Sequence, residues 1–157
     1  MAASNYVTDK VQQALKAFLK TQDFSAVGIP TAQIYSGVEN ATAQASEGAA
    51  TTRLLPCVEC VCQSAETIDE HFLNWLAEAE IRVRTNADDT TETAHHNTAA
   101  TVFNTITTDT IKDDLSGALA DFTCFLVNFR SQRWELLERS WVSVITFEVH
   151  CAGSDIS

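Results

Sequence analysis

The chain has 157 residues, 45% of them hydrophobic, which is the size and composition of one domain able to bury its own core. Ten basic against 21 acidic side chains leave a net charge of −11, the reverse of what adhesion to phosphate requires, so DNA, RNA and anionic membranes are argued against as adhesive partners. No apolar run approaches the roughly 18 residues needed to span a bilayer, and the N-terminus carries no basic segment leading into an apolar one. The expectation is therefore a protein made and kept in the cytoplasm, or in an assembly built there.

The first element is a helix predicted over Ser4 to Lys20. Val7, Val11, Ala14, Leu15 and Phe18 recur at spacings of three and four, while Lys10, Gln13, Lys16 and Lys20 turn outward. Pro30 holds Ile29 extended and precedes a short strand, Ala32 to Ser36. Gly37 to Arg53 then runs with almost no large apolar side chain to anchor it, and is expected to be a long flexible loop, disordered or ordered only against a neighbouring subunit.

Leu54 to Cys62 predicts a second strand covered on both faces, entered through Pro56. A polar connection over 63–74 leads to a third strand. Its text alternates strictly, with Trp75, Ala77, Ala79, Ile81, Val83 and Thr85 on one side and Leu76, Glu78, Glu80, Arg82 and Arg84 on the other. Asp89-Thr-Thr-Glu92 has the spacing of a capping box, followed by a helical face of Ala94, Thr98, Ala99, Val102, Phe103 and Ile106. A short helix starts at Asp109, with Gly117 weakening its end. Two strands close the chain, Phe122 to Arg130 and Ser140 to Cys151, linked by an expected hairpin loop over 131–139 that exposes Trp134. The fold class is α+β, a single domain over 1–157 with one mostly antiparallel sheet of about five strands on two main helices, in the order α-β-β-β-α-α-β-β.

Three groups of residues invite a chemical reading. Cys57-Val-Glu-Cys60-Val-Cys62 resembles a redox or metal motif, but such a motif needs a helix N-terminus or four converging ligands; in a strand Cys57 and Cys60 face opposite ways. With an odd count of five cysteines and no export signal, free buried thiols are expected. His95 and His96 diverge by about 100° on a helix and cannot share an ion, so both are expected on a solvated shoulder of the first turn. The acids Asp88, Asp89 and Glu92 are explained by the helix start. No phosphate loop, dinucleotide motif or nucleophile elbow occurs, and no catalytic residue, metal or cofactor is assigned. Glu78, Glu80, Arg82 and Arg84 form either a solvated face or a charged surface that sets register against another copy. Arg133, Trp134 and Arg139 are of the types enriched at interface hot spots. With Gly37, Glu47 and Arg53 of the loop, these are the candidate interface residues.

The unit Ile81-Arg-Val-Arg-Thr-Asn-Ala-Asp-Asp-Thr-Thr-Glu92, followed by an amphipathic helix ending Val102-Phe-Asn-Thr-Ile106, resembles the tail terminator (tail completion) proteins of tailed bacteriophages. The N-terminal helix with Ala14-Leu-Lys-Ala-Phe-Leu19, the strand with Leu55-Pro-Cys-Val-Glu59 and the C-terminal strand pair are similar in context. The cysteine-rich strand is not part of that pattern. The resemblance implies a virion structural subunit of a homo-oligomeric ring, commonly a hexamer, at the head-proximal end of the tail. Such a ring stops tail-tube polymerisation and offers a docking surface to the neck or connector protein. DNA passes through its lumen without specific binding, for which an acidic wall is suited. A neck or head-completion (head-tail connector) protein shares that setting. A small soluble binding or chaperone-like domain is the reading of another class, and an enzyme comes last.

Overall fold

The computed structural model describes residues 7–37, 53–68 and 74–153. Helix α1 (Val7–Lys20) is followed by two short 3-10 turns and by strand β1 (Ile34–Ser36); then come β2 (Cys57–Thr67), β3 (Asn74–Asn86), helices α2 (Glu92–Ile106) and α3 (Ile111–Ala118), and the long strands β4 (Phe122–Leu137) and β5 (Ser140–Gly153). This is the predicted α+β order. The strands form one sheet in the order β1-β2-β3-β5-β4. It is a mixed sheet: β1 runs parallel to β2, and every other pair is antiparallel.

Alternation along β3 decides which face is dry. Ala77, Ala79, Ile81 and Val83 are buried, and their ladder partners Val149, Phe147 and Ile145 on β5 join the same core. Val11, Leu15 and Leu19 of α1, Val102, Phe103 and Ile106 of α2 and Leu115 of α3 belong to that core too. Burial of each such side chain contributes about 1.5–3 kcal/mol, so the helix side holds the fold together. Polar ties set the register between layers. The Gln12 side chain accepts from the Cys62 amide at 2.9 Å, and the Ser116 hydroxyl accepts from the Cys124 amide at 2.8 Å.

Four local expectations are corrected. Strand β2 runs on to Thr67, through half of the expected connection, because its pairing with β3 resumes past a bulge between Cys62 and Ser64. Strand β4 does not end at Arg130. It continues to Leu137, so Arg133 and Trp134 lie in a strand and the turn shrinks to Glu138 and Arg139, with Glu138 at φ 53°. Ladder hydrogen bonds to β5 override a text that is polar enough to read as loop. The cap of α2 is Thr91, whose hydroxyl accepts from the Ala94 amide at 3.2 Å, rather than Asp89. His95 is buried, not on a solvated shoulder.

Candidate functional site

Three regions carry the chemistry of the described residues: the sheet face turned away from the helices, the edge strand β4, and a buried histidine between α2 and the sheet.

The helix-free face presents Cys57, Glu59 and Val61 of β2, Glu78, Glu80, Arg82 and Arg84 of β3, and Val142, Val144 and Glu148 of β5. Val142 and Val144 are buried although none of the described helices lies on their face of the sheet. Each stands between long charged neighbours, Arg84 and Glu135 beside Val142, Arg82 and Arg133 beside Val144. The apolar stems of such side chains cover surface while their heads stay in water. Strand β2 is thus covered on both faces as expected, but one cover is a layer of ion pairs. Glu59, itself buried, accepts from Arg53 at 2.6 Å and from Arg84 at 3.4 Å, and Arg82 reaches Glu80 at 2.7 Å.

The four β3 charges therefore share one face, as the alternation implied, and Glu80, Arg82 and Arg84 are partnered within the chain. Arg53 also donates to the Gly37 carbonyl at 2.9 Å and lies 4.7 Å over the Tyr35 ring. Gly37, at φ +76°, uses the left-handed region that glycine adopts freely. The two ends of the expected 37–53 loop are thus tied to each other and to β2. Glu47 and the rest of that loop, 38–52, lie outside the described residues.

Farther along the same face, Glu78 stands directly opposite Glu148, an unfavourable like-charge pair. A bulge between Phe129 and Ser131 leaves Arg130 without a cross-strand partner, and its guanidinium pairs with Glu148 at 2.5 Å. These residues, with Val61, Ser64 and Glu80, line an open groove of about 340 Å³. Among the described residues no group of three or more His, Cys, Asp or Glu converges as metal ligands. All five cysteines are buried. Burial pushes the Cys60, Cys62 and Cys151 thiols up to about 12 and Cys124 to about 11, so none of these four is a ready thiolate.

Strand β4 is the edge of the sheet opposite β1. Of the large hydrophobic side chains exposed among the described residues, Phe125, Leu126, Phe129, Trp134, Leu136 and Leu137 all lie on it, against only Leu54 and Ile68 elsewhere. Arg133 is half exposed and 3.5 Å from Glu135; Arg139, in the turn, points to Asp88 at 3.8 Å. Trp134 meets the edge of His96 at 5.1 Å and Trp141 at 5.7 Å. Helix α2 stands off from this half of β4, leaving an open groove of about 370 Å³ between them.

The buried histidine was hidden from the sequence. His95 Nδ1 is 2.8 Å from the Thr85 hydroxyl and Nε2 is 2.8 Å from the Ser143 hydroxyl, and the ring stacks on Trp141 at 6.3 Å. Burial, helped by the neighbouring His96, lowers its pKa to about 4, which keeps it neutral near pH 7. A hydroxyl–imidazole contact has the outline of a nucleophile and base. Here, however, the orienting group is a neutral threonine rather than a carboxylate, and Ser143 stands in mid-strand between Val83 and Trp134, so its neighbouring amides are committed to the ladder. The arrangement serves as a tie between α2, β3 and β5. The signal that could have found it was the dry-face position of Thr85 and Ser143, together with the spacings of three, four and seven that put His95 on the buried helical row of Thr98, Ala99 and Val102.

No family model matches the chain, and no curated protein matches its sequence. Among solved structures it is similar to a chain of the virion of a native gene transfer agent (GTA) particle, at 15% identity and a TM-score of 0.53, covering 94% of this chain and 98% of that one. At that identity the likeness is one of fold, and it extends over nearly the full length of both chains.

Proposed function

We propose that this protein is a virion structural subunit of a phage-like particle, without enzymatic activity, and that it acts as a tail terminator. Copies of it form a ring, a hexamer in our reading, that ends the tail tube at its head-proximal side and receives the neck. The observation that carries this reading is the end-to-end correspondence of fold with a virion protein. A match restricted to one motif would carry far less. Two physical features agree with it. A net charge of −11 suits a wall past which DNA must slide without sticking. The exposed Trp134 and Arg133 on β4 are of the residue types enriched at interface hot spots.

The test is to add the purified protein to polymerising tail-tube protein from the same genome. The expected result is shorter tubes, each with the protein at one end by electron microscopy. Tubes of unchanged length with no protein at either end, together with its absence from purified particles, would overturn the reading. Protein found in particles at the neck but never on tubes would replace the terminator role with that of a connector.

A further inference from the structure

We propose that the distal half of β4 is a self-complementary edge at which two copies of this chain pair strand to strand, antiparallel, about a two-fold axis through Trp134. A long edge strand normally carries devices that prevent such pairing. The first half of β4 has them: two bulges, between Cys124 and Leu126 and between Phe129 and Ser131, interrupt its register. From Ser131 to Leu137 the ladder to β5 runs without interruption, so the outer edge of this run is regular and, among the described residues, unpaired by any strand. It also carries exposed apolar side chains, since Trp134, Leu136 and Leu137 are all about half exposed.

Charge selects both the occupant and the register. Residues directly opposite in an antiparallel pair share a face, so a two-fold axis must pass through a residue that meets its own copy. Centred on Arg133 or on Glu135, the pairing would oppose like charges. Centred on Trp134, it places Arg133 opposite Glu135 of the second copy and Glu135 opposite the second Arg133, with Trp134 against Trp134 between them. Within one chain Arg133 and Glu135 already lie 3.5 Å apart on one face. The pairing therefore closes a square of four alternating charges, and opposite charges across strands are favourable. A partner of other sequence would have to reproduce Arg-Trp-Glu in reverse; a second copy supplies it automatically. Each sheet of five strands would continue into the next as one of ten.

This contact is isologous and closes at two copies, whereas a ring requires a different, heterologous contact. The pairing therefore does not itself build the ring, although both draw on the exposed side chains of β4. The experiment is sedimentation equilibrium of the full chain over a wide concentration range. The expected wild-type result is a dimer of about 34 kDa, twice the 17.2 kDa of the chain. Arg133→Glu and Glu135→Arg should each weaken it at least 10-fold, and the double variant should recover wild-type affinity. Both side chains are exposed, so neither single change should disturb folding. Trp134→Cys should cross-link to itself on mild oxidation, while Ser131→Cys should not. A monomer at every concentration would overturn the proposal, as would a dimer or ring indifferent to charge reversal. Either result would leave the terminator role standing, because that role is read at the tube end.

Discussion

Strands β3 and β4 are both long and both alternate, yet they end in opposite environments. The helix-side row of β3, from Ala77 to Val83, is buried throughout; the corresponding row of β4, Val127, Phe129, Trp134 and Leu136, opens progressively toward the solvent. The difference lies in sheet order. β3 is flanked by β2 and β5 and roofed by helices, while β4 has a neighbour on one side and a helix that stands off from its distal half. A period of two states which residues share a face. It does not state what, if anything, lies above that face.

The largest way to break the comparison is at the centre of β3. Ile81→Ala removes a fully buried side chain from close-packed surroundings and should cost about 4 kcal/mol, within the range for such truncations. Urea denaturation measures it. A loss below about 1 kcal/mol would mean that β3 is not the packed centre of the sheet.

The next effect depends on pH and concerns how α2 is fastened over β3 and β5. His95 has a folded-state pKa of about 4 against an ordinary 6.5, so the unfolded chain takes up the proton first as pH falls. The stability contributed by the neutral, buried ring is fully present above about pH 6.5 and is lost as pH falls from there toward 4, by up to about 3 kcal/mol. Other groups also titrate in that window. The quantity to measure is thus the difference between wild type and His95→Gln in urea midpoint at pH 7.5 and at pH 4.5. Wild type should lose more on acidification, and identical losses would remove His95 from the account.

How much of this was legible in the sequence follows the same division. The element order, the dry row of β3 and the shared face of Glu78, Glu80, Arg82 and Arg84 were readable because each depends on local periodicity. The hydroxyl partners of His95 come from residues 10 and 48 positions away in sequence, a distance no periodicity spans. The cap moved from Asp89 to Thr91 because both residues have suitable side chains and only the backbone path decides between them. The region 131–139 was misread as a loop for a related reason. Its strand is held by ladder bonds to β5, and its exposed side chains carry no record of that pairing. Arg53 and Gly37, the ends of a featureless stretch, proved to be joined directly, the guanidinium donating to the Gly37 carbonyl while it also pairs with Glu59 of β2, contacts that sequence order keeps apart.

The smallest expected effect sharpens the comparison most, because it uses one residue type in two settings. Phe147 on β5 is buried against β3 and the helices; Phe125, in the first bulge of β4, is half exposed and has no residue opposite it in the ladder. Phe125→Ser should change stability by no more than about 1.5 kcal/mol, because half of the side chain is still exposed in the folded state. Phe147→Ala, by contrast, falls in the class of core truncations. Both variants can be measured by the same urea titration at a concentration low enough to keep the protein monomeric. A loss above about 2 kcal/mol for Phe125→Ser would mean that something in the monomer covers the first half of β4, and the contrast with Phe147 would fall.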